Sequence, residues 1–121
     1  MLFTKSVTLT STSTTTVFEV PDGYTAHLNY LFLSNHGGST NNMTVLVDND
    51  TDGNGSYTTK FYIFNAKPLT SKDYLELSDG AMFILHPTDR VRVASSAAGD
   101  VTALITFDLA YTGLTFNTAT T

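Results

Sequence analysis

Tyr74-Leu75-Glu76-Leu77, then Ala81-Met82-Phe83-Ile84-Leu85, then Arg90-Val91-Arg92-Val93-Ala94-Ser95, then Val101 through Tyr111 form a series of short apolar runs. Between them stand Ser78-Asp79-Gly80, His86-Pro87-Thr88-Asp89 and Ala97-Ala98-Gly99-Asp100. Apolar runs punctuated by Gly, Pro, Asp and Ser at this spacing predict antiparallel strands with tight connections. The last run alternates: Val101, Ala103, Ile105, Phe107 and Leu109 share one face, and Thr102, Thr106 and Asp108 the other. Arg90 and Arg92 oppose Val91 and Val93 in the same way. The stretch therefore reads as a meander with one buried side, which requires a second layer over it.

At 121 residues the chain is expected to form a single domain, residues 1–121, with interaction arms at 1–14 and 113–121. Hydrophobic residues make up 41% and charged residues only 14%, so the polar surface rests on uncharged side chains. Thr is the commonest residue, and its β-branch favours strands. The net charge of −5 argues against a nucleic-acid partner, and no membrane partner is expected. Cys is absent, which removes disulfides and thiolate metal sites.

Outward from the meander, Phe3, Val7 and Leu9 are spaced for a strand face, interrupted by Lys5. No apolar core follows Lys5, so no signal peptide is expected at this end. Residues 11 to 16 form a polar tract read as a connection or edge strand. Val17 to Val20 lead into a Pro21-Asp22-Gly23 turn. Tyr24 to Asn35 is the longest early strand, with Ala26, Leu28, Tyr30 and Phe32 expected on one side and His27, Asn29, Leu31 and Leu33 on the other. Met43 to Val47 and Tyr57 to Phe64 are further strands, and Ala66 to Leu69 is a Pro-broken crossing. A helical turn is conceivable only around Ser71 to Tyr74. The fold class is all-β: an antiparallel β-sandwich, jelly-roll-like, of about eight to nine strands.

Chemistry is sparse. His27, His36 and His86 fall in a strand, a Gly-rich loop and a Pro turn, without metal-site spacing. There is no nucleophile elbow, and Glu19 and Glu76 are the only glutamates. No enzymatic activity and no cofactor are expected. Asp48-Asn49-Asp50-Thr51-Asp52-Gly53 matches the opening of a calcium loop, making Asp48, Asp50 and Asp52 the calcium candidates. The match fails further on, where Thr59 stands in place of a bidentate Glu and strands flank the loop. An exposed hairpin connection is the preferred reading. Asn42-Met43-Thr44, Asn49-Asp50-Thr51 and Asn54-Gly55-Ser56 have glycosylation spacing but suit a polar composition equally. The aromatics, 12% of the chain, are read as core residues in preference to a sugar-stacking platform.

Four segments together resemble small tailed-bacteriophage virion proteins of β-sandwich type. They are Val20-Pro21-Asp22-Gly23-Tyr24-Thr25-Ala26, Leu31-Phe32-Leu33-Ser34-Asn35 with its Gly-rich loop, Ser78-Asp79-Gly80 with its apolar run, and Pro87 through Ser95. The resemblance spans about residues 15 to 110 and carries no catalytic residues. It implies a non-enzymatic structural protein on the outer surface of a virion, made in the host cytoplasm. A capsid decoration (cement) protein bound to the major capsid protein or another virion protein is the first expectation. A neck, tail or fibre accessory protein, or a glycan-binding β-sandwich module, is the alternative. A homo-oligomer, in trimeric form, is expected from closed symmetry and avidity. The interface candidates are Leu2 and Phe3 at one end, Leu114 and Phe116 at the other, and Leu104, which breaks the polar face of its strand.

Overall fold

Nine antiparallel strands in two sheets make up the computed structural model, which describes residues 2–50, 55–78 and 83–113. In chain order they are β1 (Leu2–Thr8), β2 (Thr15–Glu19), β3 (Tyr24–Asn35), β4 (Asn41–Asn49), β5 (Thr58–Leu69), β6 (Tyr74–Leu77), β7 (Phe83–Leu85), β8 (Arg90–Ser95) and β9 (Val101–Tyr111). The first sheet runs β1-β9-β3-β6, with β7 also on β3; the second runs β2-β8-β4-β5. The chain crosses repeatedly between the sheets in the manner of a jelly roll, with β4 and β5 a hairpin within the second sheet and β6 and β7 lying one after the other along β3. The all-β sandwich expected from the sequence is the observed fold.

The meander expected over residues 74 to 111 is corrected. None of β6, β7, β8 and β9 pairs with another of the four: β6, β7 and β9 lie on β3, whereas β8 sits between β2 and β4 in the opposite sheet. The Pro87-Thr88 turn sends the chain across the sandwich. Its geometry is held by backbone bonds from Asp89 N to His86 O and from Val20 N to Asp89 O, and by Thr88 at φ 69°. Ser71-Lys72 is likewise a turn, closed by Asp73 N to Thr70 O, and not a helical one. β5 continues through Pro68 to Leu69. Pro is tolerated there because β5 is an edge strand bonded only to β4.

The core lies between the sheets. Leu28, Leu31, Leu33, Val101, Ala103, Ile105 and Phe107 of the first sheet face Met43, Val45, Val47, Val91 and Val93 of the second, all essentially inaccessible to solvent. Aromatic contacts close both open sides. Phe18 of β2 meets Phe107 of β9 at 3.8 Å between ring centroids, and Phe3 of β1 lies 5.7 Å from the same ring. On the opposite side Phe61 of β5 meets Phe83 of β7 at 5.3 Å.

A β-bulge between Leu28 and Tyr30 alters the faces of β3. Period two alone places Tyr30 and Phe32 with Ala26 and Leu28. The extra residue, Asn29, inverts the parity, so Leu31 and Leu33 join Ala26 and Leu28 in the core while Tyr30 and Phe32 turn outward.

Candidate functional site

The consequence of that bulge is an aromatic row on the outer face of the first sheet. Tyr30 and Phe32 are successive outward residues of β3. Their ring centroids lie 6.4 Å apart, with planes within 8° of parallel. Tyr74 of β6, opposite Ser34 in the register, extends the row, its ring 5.5 Å from Phe32 and 28° from parallel. Tyr74 is 56% exposed. The Tyr30 hydroxyl donates to Oε2 of exposed Glu76 at 2.8 Å. Losing that hydrogen bond, and placing a second negative charge beside Glu76, both disfavour the phenolate, so the Tyr30 pKa lies above its ordinary value. Leu104 borders the row, half-buried between Phe32 of β3 and Ser6 of β1. Ser34, Thr102, Thr106 and Thr4 frame it with uncharged hydroxyls. Among the described residues of this face there is no Lys or Arg.

The outer face of the second sheet is electrostatically opposite in design. Asp48 and Arg90 are cross-strand partners. Arg90 Nε and Nη2 donate to the two Asp48 oxygens at 2.7 Å each, and Arg92 Nη1 stands 3.6 Å from Oδ2. The Arg90 guanidinium also lies 3.4 Å above the Tyr57 ring, and the Tyr57 hydroxyl reaches Glu19 at 3.3 Å. The Asp48 hydrogen bonds hold the Arg90 proton more tightly than usual. Asp48 is thus committed to arginine. Asp50 accepts the Gly55 amide at 2.7 Å, and Asp52 lies outside the described residues. Among those residues no His, Cys, Asp and Glu cluster has the makings of a metal site, and no pocket is found among them.

Both ends of the sandwich are pinned by buried polar side chains. Asn35, 1% exposed, donates to Ser39 O and Leu69 O and accepts the Gly37 amide. Asp89, also 1% exposed, accepts the His86 amide, the Asn49 side-chain amide and Lys60 Nζ, the last at 3.2 Å.

Leu2 is 65% exposed, and Phe3 leans on Phe107. Both belong to β1, the end strand of its sheet, so residues 2–8 of the expected N-terminal arm are strand, antiparallel to β9. Leu114 and Phe116, with the rest of the expected C-terminal arm beyond Gly113, lie outside the described residues.

The four sheet edges are unequal. β5 carries register shifts at three places, Pro68, Lys60, Lys67 and a left-handed Ala66 at φ 54°. β2 is short and has one shift, and β6 and β7 are short and separated. β1 runs seven residues with no register shift, and Lys5 is its single charge. Irregularity, Pro and Lys are the usual protections of an edge; β1 has least of them.

Neither a protein-family model nor a curated protein matches the sequence. Solved structures match in shape. The CBM22-1 and GH10 modules of a Clostridium thermocellum endo-1,4-beta-D-xylanase, solved with xylohexaose, align over 88% of this chain at a TM-score of 0.50 and 11% identity; this chain spans 24% of that one. A chain of the Helicobacter pylori bacteriophage KHP30 capsid aligns over 89% of this chain and 85% of its own, at a TM-score of 0.49 and 12% identity. A chain of the cyanophage Pam1 capsid asymmetric unit aligns over 88% and 83%, at 0.44 and 21%. At such identities the likeness is one of fold, the antiparallel β-sandwich, and function has to be argued from surfaces.

Proposed function

We propose that this chain is a non-enzymatic structural protein of a bacteriophage virion, a capsid decoration protein that binds the assembled shell from outside. The observation that carries the reading is the regular edge of β1, which among the described residues pairs only with β9 and begins at exposed Leu2 and part-exposed Phe3. An edge strand left unprotected accepts a strand from another chain: main-chain hydrogen bonds supply affinity and alternate side chains supply register. The sequence resemblance to small tailed-phage virion proteins supports the same role. So does the scarcity of charge, since burying Thr and aliphatic surface avoids the desolvation cost of ions.

In this reading residues 1–121 act as one unit, and the major capsid protein, or another virion protein, supplies the strand that pairs with β1. The protein works as a homo-oligomer, a trimer, because several weak contacts made together bind far more tightly than one. It is made in the host cytoplasm and ends on the outer surface of the particle.

Binding of purified protein to undecorated shells tests this. Leu2→Glu places a charge at the start of the edge without touching the core and is expected to weaken decoration at least tenfold. Deletion of residues 1–6 is expected to abolish it. If both variants stay folded and decorate as the full chain does, β1 is not the anchor. If the intact protein never binds shells but co-purifies with necks or tails, the accessory role replaces the decoration role.

A further inference from the structure

We propose that the aromatic row Tyr30–Phe32–Tyr74 is a binding surface for a neutral polysaccharide, which lies along the outer face of β3 and β6. This surface uses different residues from the β1 edge and does not depend on the shell-binding reading. Three rings follow one another at centroid steps of 6.4 and 5.5 Å with planes 8° and 28° from parallel. A regular row of similarly oriented rings suits a ligand that itself repeats, as a chain of pyranose rings does. The negative face of an aromatic ring attracts the weakly positive C–H face of a sugar, an interaction independent of net charge.

Polar groups on the face agree with that ligand. Glu76 is an acceptor held in place by Tyr30, and carboxylates accept well from sugar hydroxyls. The surrounding Ser34, Thr102 and Thr106 both donate and accept. Glu76 and Asp108 are the charged carboxylates of this face, and neither Lys nor Arg accompanies them among its described residues. A polyanion, whether nucleic acid or acidic glycan, gains no Lys or Arg partner from the described residues of this face and meets the Glu76 carboxylate beside the row.

The full-length protein is run in native gels containing soluble xylan, hydroxyethylcellulose, galactomannan or laminarin, then titrated calorimetrically with a hexasaccharide of whichever polymer retards it. Retardation by at least one neutral polymer is expected, with heparin inert. Tyr74→Ala is expected to weaken binding about tenfold and Tyr74→Phe to preserve it, whereas Leu2→Glu leaves it unchanged. Tyr74 is exposed, so its replacement leaves the fold intact, and thermal melting verifies this; Phe32→Ala is a second variant. No retardation by any of the four polymers overturns the proposal. So does equal retardation of wild type and Tyr74→Ala, or retardation by heparin alone. Self-association that Tyr74→Ala abolishes, without sugar binding, assigns the face to a second copy and also overturns it.

Discussion

Replacing Asp48 by Ala strands the most completely paired cation of the described surface. Asp48 has a side-chain exposure of 6% and Arg90 of 17%, and two N–H groups meet the carboxylate at 2.7 Å each. Breaking a buried ion pair by deleting one partner costs roughly 3–5 kcal/mol. Arg90 keeps its place over Tyr57 and regains some water, so the lower end applies, about 3 kcal/mol. For a chain of this length that corresponds to a fall in Tm of about 10 °C. Differential scanning calorimetry and urea unfolding of Asp48→Ala, Arg90→Met and the double variant measure it. The double variant is expected to be more stable than the sum of the single losses implies, because it leaves no orphaned charge. A fall in Tm under about 2 °C, with a coupling below about 0.5 kcal/mol, shows a pair that behaves as a solvated surface bridge and refutes the reasoning. The same commitment of Asp48 to arginine predicts that chelator leaves Tm unchanged. A saturable rise of several degrees with calcium shows instead that the carboxylate is released to the ion.

Gly37→Ala places a Cβ against Asp100 Cγ and 2.7 Å from its Cβ, so backbone as well as side chain has to shift; a loss of roughly 1–3 kcal/mol by urea unfolding is expected, and an unchanged midpoint contradicts the close approach. Tyr30 ionises above its ordinary value of 10.0 because its hydroxyl donates to Glu76. A proton held more tightly in the folded chain favours folding below the unfolded pKa, and that contribution disappears as pH rises through the raised folded value. Ultraviolet difference titration of Glu76→Gln is expected to show one tyrosine returning toward the ordinary range, and an identical titration curve contradicts the contact.

Much of the fold was legible because burial on one face leaves a period of two. Tyr24–Asn35 and Val101–Tyr111 were bounded from that pattern as the structure has them. The aromatic row was missed for the same reason the strand was found. Strict alternation through Asn29 assigns Tyr30 and Phe32 to the side of Ala26 and Leu28, and only pairing with β9 creates the bulge that turns them out. One signal was present: from Tyr30 onward both faces of the strand are apolar, which a single alternating strand with one wet side does not require. The sequence could not show what engages Asp48 in the calcium-like spacing of Asp48 and Asp50. Arg90, 42 residues away, occupies Asp48 once β8 lies against β4.

By itself, then, the amino-acid sequence determined the local matters: β-branched and alternating residues make strands, and Pro21-Asp22-Gly23 and Pro87-Thr88 break them. The one apolar face of the alternating runs required a second layer over it. Which strands are neighbours was decided only in three dimensions. The runs from Tyr74 to Tyr111 carry no information about crossing from one sheet to the other, because a half-buried strand satisfies its period equally well against any partner. The same holds for the surfaces. Leu2 and Phe3 lie beside an open edge only because β9 pairs with β1 on one side, and Tyr74 completes a row with Phe32 only because β6 docks on β3. Local propensity acts over a few residues, whereas these surfaces are assembled from side chains more than forty positions apart along the chain, brought together by the burial of a shared core.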